Sequence, residues 1–524
     1  MVQVAFTAPH DLASQTGLKI LQQGGSAVEA MVAAAASISV LYPHMTGMGG
    51  DGFWLIQKPG EAPYAIDASG CSAQAATLDF YKDENQLPSR GGRAALTVAG
   101  AVSGWHHALA WATENIGTQA NLEQLFEEAV RFAEQGIEVT ETLAQASDSK
   151  LSELLCVIGY EEAFLNDRQP LKKGQIFKQP GQARLLKKLA KNGLLDFYQG
   201  EVADNIAMAL KTAGSPVCLK DLHDYRADTM EVLTCETSFG TLYNLGAPTQ
   251  GLASLIIIGL YDRLYQTDWN EEQKIHHLIE CTKQAFMLRD QLITDPQRLP
   301  DSLPNYLTDD FLSELSQKVN AENALPWPYV AQPGDTVWMG AIDQHGVMVS
   351  YIQSLYWEFG SGVTVPEYGL VWNNRGVGFS LDASNLNALS PKLKPFHTLN
   401  PAMCQFNDGR RMVYGTMGGE GQPQTQAAIL SRYVYDGLSP KAAVAEPRWL
   451  LGRTWGNSQN NLKLEKSLYE RLDDAFQAKG HDVESVADYS EMMGHAGMLV
   501  LDVSGDIEAA SDPRSDGQSY SVNI

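Results

Sequence analysis

Apolar and small residues recur at helical spacing from residue 11 to 41, with a break near Gly24 and Gly25. Ser26 stands where an N-cap belongs, ahead of the Ala-rich run 27–40. Residues 53–56 read as a strand. Residues from about 120 to 320 read mostly as amphipathic helices, for example 122–134 and 271–292, with short strands between them such as 242–245.

The texture then changes. Residues 326–333 are rich in proline, unsuited to a helix or a central strand, and end in Gly334-Asp335. An alternating run follows at 336–342. With the turn Asp343-Gln344-His345-Gly346 and the run 347–353, it predicts a β-hairpin. Shorter strands and Gly-rich turns continue to about Gly421, and a helix at 427–434 and a strand at 498–503 complete the pattern. No internal repeat and no low-complexity linker is present, so the length of 524 residues leaves the domain count open.

Composition narrows the function classes. The chain is 44% apolar and 19% charged, as expected of a folded globular protein. Its 38 Lys and Arg face 62 Asp and Glu, a net charge of -24 that repels phosphate backbones and anionic membranes, so neither nucleic acid nor a membrane is expected as a partner. A local basic pocket for a small anion remains compatible with that charge. The N-terminal residues 1–15 contain no basic residue or long apolar block, and the longest apolar runs, such as 253–260, fall short of a membrane span. A cytoplasmic location is expected. The six cysteines show no C-x-x-C pairing and read as isolated buried thiols.

Several chemistries are poorly matched. Gly47, Gly49 and Gly52 form a G-x-G-x-x-G, but it follows a helix and opens a strand, the reverse of a dinucleotide site. The pairs His106-His107 and His276-His277 lack a metal-ligand spacing, and one member of each is expected to pack while the other is solvated. No G-x-S-x-G elbow occurs, and Ser147-x-x-Lys150 lacks its companion motifs. Neither a metal nor a cofactor is expected. Thr336 is the remaining candidate. Cutting the Asp335-Thr336 bond would give it an α-amino group of pKa about 7.7 to 8.0, able to act as base toward its own hydroxyl. Local pattern alone favours a threonine that merely begins a strand.

Resemblance decides between these readings. Gly24-Gly25-Ser26-Ala27-Val28-Glu29-Ala30, the Gly47 to Gly52 loop, Ala65-Ile66-Asp67, Phe197-Tyr198-Gln199-Gly200, the segment from Glu280 to Pro296, the hairpin after Thr336, Gly415 to Gly419 and Ser511-Asp512-Pro513-Arg514 occur in the order seen in one family. Across nearly its whole length the chain resembles the γ-glutamyltranspeptidase family of N-terminal nucleophile hydrolases. The resemblance implies an α+β fold, a four-layer αββα sandwich built jointly by two segments of a self-processing precursor, residues 1–335 and 336–524. It implies Thr336 as the nucleophile of cleavage and turnover, Ser354 as the hydroxyl supporting the new N-terminus, and Gly418 and Gly419 as the oxyanion hole. The two segments would stay together as a heterodimer, possibly paired again into a dimer of heterodimers.

The departures from the family pattern bear on substrate. Ser69 stands where γ-glutamyl enzymes place an Arg for the α-carboxylate, and Gly378 where they place an acid for the α-ammonium. Arg375 occupies a neighbouring Gln position, His397-Thr398 replace a Ser-Ser pair, and Tyr356 with Trp357 add bulk. Arg375 can hold a carboxylate through two parallel N–H bonds, with His397 as a second donor, or can make a structural ion pair. Thr336-Val337-Trp338-Met339 and the segments around His397 and Gly418 look like the oxamate-hydrolysing branch more than the glutathione-cleaving one. The expected substrate is therefore a small-molecule carboxylate amide such as oxamate. Two alternatives are a γ-glutamyl hydrolase or transferase with an altered clamp, and an uncleaved, inactive relative that binds a small anion or a partner.

Overall fold

The computed structural model describes residues 2–327, 334–452 and 460–524. Two antiparallel sheets lie face to face between layers of helices. The first has seven strands in the order Gln518–Asn523, Gln3–Ala8, Asp335–Ile342, Met348–Tyr356, Asp51–Gln57, Tyr64–Ala68 and Asp228–Thr229. The second has six, in the order Ile507–Ser511, Ala496–Leu501, Arg411–Thr416, Ala402–Phe406, Gly240–Leu245 and Val232–Thr237. Each sheet thus contains strands from before and after the Asp335-Thr336 bond, interleaved in the first and side by side in the second. A cut there would leave two chains that share both sheets and the helix layer on the second sheet, while the helices on the first sheet come from before the bond.

The layers follow from the pattern of side chains. Between the sheets lie Phe53, Leu55, Trp338, Ile352, Met403, Val413 and Leu499, one face of alternating strands. The outer face of the first sheet packs on the Ala-rich helix Ala27–Leu41, in which every residue is buried, and on the helices around it. Ser26 caps that helix, and its capping box with Glu29 is complete. The outer face of the second sheet packs on Gly251–Leu264, Glu271–Leu292 and Gln422–Val434. Trp338 ties the two sheets. Its indole N–H donates to Ser350 Oγ at 2.9 Å, while a Cβ on Gly415 would lie 2.3 Å from the ring and one on Gly497 2.4 Å. Only glycines in the opposite sheet admit a ring there.

The predicted helices at 122–134 and 271–292 are present as Leu122–Gln135 and Glu271–Leu292. The helix expected at 427–434 begins earlier, at Gln422, with proline tolerated in its first turn, and the strand expected at 498–503 runs from Ala496 to Leu501. Of the Pro-rich stretch 326–333, residues 328–333 lie outside the described residues. His276 and His277 are both buried, contrary to the expectation of one packed and one solvated. The helix that carries them is covered by Trp269, stacked on His277 at 3.9 Å, and by His481, bonded to His276. The cysteines are also corrected: Cys235, Cys281 and Cys404 are buried, Cys71 is half-buried, and Cys156 and Cys218 are exposed. No helix among the described residues is long and apolar enough to cross a membrane.

Candidate active site

The hairpin that begins at Asp335 does not pair regularly to its end. Val337 faces Gln353 and Asp335 faces Tyr356, so Thr336 lies opposite a bulge made by Ser354 and Leu355. Backbone groups freed by the bulge find partners elsewhere. Leu355 N–H donates to Met45 O at 3.1 Å, and Leu355 O accepts from Asn374 N–H at 3.3 Å. Ser354 Oγ accepts from Tyr356 N–H at 2.7 Å. Tyr356 takes a φ of +85°, a conformation costing a bulky residue roughly 1–3 kcal/mol, and it is held there from several sides. The Gly47 to Gly52 loop explains itself in the same place: a Cβ on Gly50 would lie 2.2 Å from Ser354 O, and one on Gly49 1.9 Å from Val371 O. These glycines let the loop lie directly under the bulge.

Thr336 is fully buried, and Ser354 nearly so. The strand Arg411–Thr416 crosses against the start of Thr336's strand and delivers Met417-Gly418-Gly419 to it. Gly418 and Gly419 have φ of +127° and +54°, so the loop turns through conformations that favour glycine. A Cβ on Gly419 would come within 3.0 Å of Gly334, two residues before Thr336. The Gly pair and the end of the first segment are therefore in contact.

Behind this loop lies a buried polar chamber. Arg375 is 1% exposed, with its guanidinium 3.7 Å from the centre of the Tyr356 ring. Its Nη1 donates to Thr398 Oγ1 at 3.3 Å, whereas Nε and Nη2 have no hydrogen-bond partner among the described residues. Burial lowers its pKa to about 10, an effect countered by Tyr356 and Asp51. Asp51, at the start of its strand, accepts from Gly70 N–H at 2.9 Å and Gly100 N–H at 3.2 Å. Burial raises Asp51 to about 7 against the opposing pull of Arg375 and those two N–H groups. His397 Nε2 lies 3.3 Å from Asp51 Oδ2, its Nδ1 has no partner among the described residues, and burial, then Arg375, holds its pKa well below the ordinary value. The imidazole is neutral at pH 7.

The structure thus brings Thr336, Ser354 and the Gly418-Gly419 loop to one end of the sandwich, with Arg375, Thr398, His397 and Tyr356 clustered beside them. Arg375 makes no ion pair among the described residues, its contacts being the Tyr356 ring and Thr398 Oγ1. Tyr356 and Trp357 line a cleft of about 730 Å³ that also touches Arg289, Gly378, Phe396 and Glu420. Four residues that organise the site escaped sequence reasoning. Asp51 gathers the Gly70 and Gly100 N–H groups at the start of its strand, Asn374 braces the bulge through its Oδ1 and Trp357 N–H at 3.1 Å, and Gln250, itself held by Arg289, holds the Gly418-Gly419 loop from behind. Asp51 and Arg289 fell within segments of family resemblance. Asn374 adjoins Arg375 in a segment already compared with the family, and Gln250 carried no local signal.

One group of metal-type side chains occurs elsewhere among the described residues, namely His276, Glu280 and His481. Its atoms are engaged with protein: His276 with His481 and Asn320 O, and Glu280 with Lys283 and Leu325 N–H. Ser147 of the Ser-x-x-Lys match likewise accepts from Leu171 N–H at 3.0 Å, a structural bond.

Two stacked antiparallel sheets between helices, with a threonine on a central strand beside a Gly-Gly loop, define an N-terminal nucleophile hydrolase fold. The model of the Gamma-glutamyltranspeptidase family matches residues 13–522, and the chain belongs to that family and is an amide hydrolase. It is 50% identical over 510 residues to the oxamate amidohydrolase proenzyme of Klebsiella pneumoniae, covering 97% of each chain. It is 34% identical over 521 residues to a glutathione hydrolase-like proenzyme of Bacillus subtilis, covering 98% of each. Among solved structures it is similar to the cephalosporin acylase from Bacillus halodurans, with a TM-score of 0.89 and 29% identity, covering 99% of this chain and 96% of that one.

Proposed function

We propose that the protein cleaves itself before Thr336 and then hydrolyses the amide of a small carboxylate substrate, with oxamate as the best-supported case. In maturation Thr336 Oγ attacks the Asp335 carbonyl carbon; the C–O bond forms, the C–N bond breaks, and the hydroxyl proton moves to the departing Thr336 nitrogen. Water then hydrolyses the ester, leaving an Asp335 carboxylate and a free Thr336 amine. In turnover that amine takes the Oγ proton during attack on the substrate and delivers it to the leaving ammonia. The Gly418 and Gly419 N–H groups stabilise the oxyanion. Water releases the acyl group, so oxamate yields oxalate and ammonia.

The observation that carries the substrate is Arg375: a buried guanidinium with two N–H groups unpartnered among the described residues, beside the Thr336 end of the sandwich. An apolar chamber would be cheaper unless a ligand carboxylate completes the pair. The similarity to the oxamate amidohydrolase proenzyme supports the same reading. Ser354 supports the mature amine, and His397 and Thr398 complete the anion chamber. The matured form is a heterodimer of the 1–335 and 336–524 segments. Incubation with oxamate and with a γ-glutamyl anilide separates the proposed substrate from a γ-glutamyl one: ammonia released from oxamate with negligible aniline from the anilide is expected, and the reverse overturns the proposal.

A further inference from the structure

Gln250 is fully buried and stands immediately before the helix Gly251–Leu264, itself packed in the core behind the second sheet. Its single amide nitrogen donates to two backbone carbonyls, Thr398 O at 2.7 Å and Gly419 O at 2.9 Å. Those residues belong to different halves of the site. Thr398 holds the Arg375 guanidinium through its hydroxyl, and Gly419 carries an oxyanion N–H. Gln250 Oε1 is held in turn by Arg289 Nη1 at 3.1 Å, and Arg289 is fixed by Glu420 at 2.7 Å. Gln250 N–H also donates to His397 O at 3.1 Å.

We propose that Gln250 is a positioning residue that sets the span between the carboxylate clamp and the oxyanion hole, and so selects the length of the acyl group. Resting on the proposed function above, this reading gives that specificity a physical origin. Two bonds from one nitrogen keep the Thr398 and Gly419 carbonyl oxygens no more than about 5.6 Å apart. A carboxylate joined directly to the scissile carbonyl reaches both subsites across a short gap. Each added methylene moves the carboxylate away, and a span fixed from a rigid helix cannot widen to follow it. Arg289, itself buried and paired, prevents the carboxamide from rotating.

The test is the ratio of kcat/KM across oxamate, malonamate and succinamate, which carry zero, one and two methylenes, for the parent, Gln250→Asn and Gln250→Ala. Asn is one methylene too short for both bonds. Losing a hydrogen bond of about 0.5–1.5 kcal/mol should reduce oxamate turnover roughly two- to thirteenfold more than succinamate turnover. Arg289→Lys keeps a cation opposite Glu420 but frees Gln250 Oε1, and should shift the ratio in the same direction. Self-cleavage on a denaturing gel reports that each variant has folded. An equal loss on all three substrates in every variant that self-cleaves would overturn the proposal, since a general structural role moves all rates together. The parent's own preference judges the proposed substrate, whereas the change in preference judges Gln250. If the Gln250 variants do not self-cleave, Arg289→Lys decides.

Discussion

Replacing Arg375 with alanine should separate substrate binding from processing. In the free protein the guanidinium makes one hydrogen bond, at 3.3 Å, and keeps Nε and Nη2 without a partner among the described residues. A substrate carboxylate would engage those two groups as charge-assisted bonds worth about 1.5–3 kcal/mol. Losing one of them alone corresponds to a roughly 10- to 150-fold fall in kcat/KM on oxamate, measured as ammonia release, and losing both to a larger one. Stability should respond differently. The stacking on Tyr356 at 3.7 Å is worth about 0.5–2 kcal/mol, but its loss is offset by removing a buried cation whose pKa burial has lowered to about 10. A urea midpoint close to the parent's should therefore accompany the large loss of activity. Self-cleavage should persist, because it needs Thr336 and local backbone only. Arg375→Lys should recover part of the activity, since the ammonium restores charge without the planar fork. An Arg375→Ala protein that self-cleaves and turns over oxamate at the parent rate would refute the reasoning, and the anion site would then have to be built on His397 and Thr398.

Thr336→Ala should remain one chain on a denaturing gel and release no ammonia, whereas Thr336→Ser, which keeps an attacking oxygen, should retain some of both activities. Gly415→Ala should lower the urea midpoint by the equivalent of about 1–3 kcal/mol, because its Cβ would lie 2.3 Å from the Trp338 ring; a parent-like midpoint would show that the ring can move aside. Asp51 predicts a pH effect. Its pKa in the fold, about 7, lies above the ordinary 3.8, so the fold favours the protonated carboxyl. Its contribution is complete below about 3.8 and is lost as pH rises to 7, so the parent's stability relative to Asp51→Asn should decline across that window and level off above it; urea midpoints that track in parallel from pH 4 to 8 would contradict this.

Much of the scaffold was legible because it is written in local periodicity. Ser26 ahead of an Ala-rich run announced the capped helix at Ala27–Leu41, and the alternation after Thr336 announced the hairpin. The bulge was not legible. Ser354, Leu355 and Tyr356 continue the strand's apolar and polar pattern, and the extra residue is stabilised by Met45, Asn374 and the close approach of Gly50, all distant in sequence. For the same reason the family-based assignment of Ser354 could name a residue without giving its setting. Arg375 was recognisable as an out-of-place cation, but its lack of an ion-pair partner among the described residues emerges only when every neighbouring carboxylate has a position. Gln250 was invisible: it sits in an unremarkable Thr249-Gln250-Gly251 turn, and its importance comes from two carbonyls nearly 150 and 170 residues away. The two buried histidines of the Glu271–Leu292 helix show the opposite failure, since helical periodicity assigns one covered face and tertiary packing covered both.

The central claim is that Thr336 becomes the N-terminal nucleophile. Intact-mass analysis of the denatured protein tests it most directly, together with N-terminal sequencing of the smaller chain. The account predicts a smaller chain that begins at Thr336, with a mass shift confined to that chain when the acyl-enzyme is trapped by rapid acid quenching during turnover. A single uncut chain that nevertheless hydrolyses the amide, or a cut at any other bond, would contradict it.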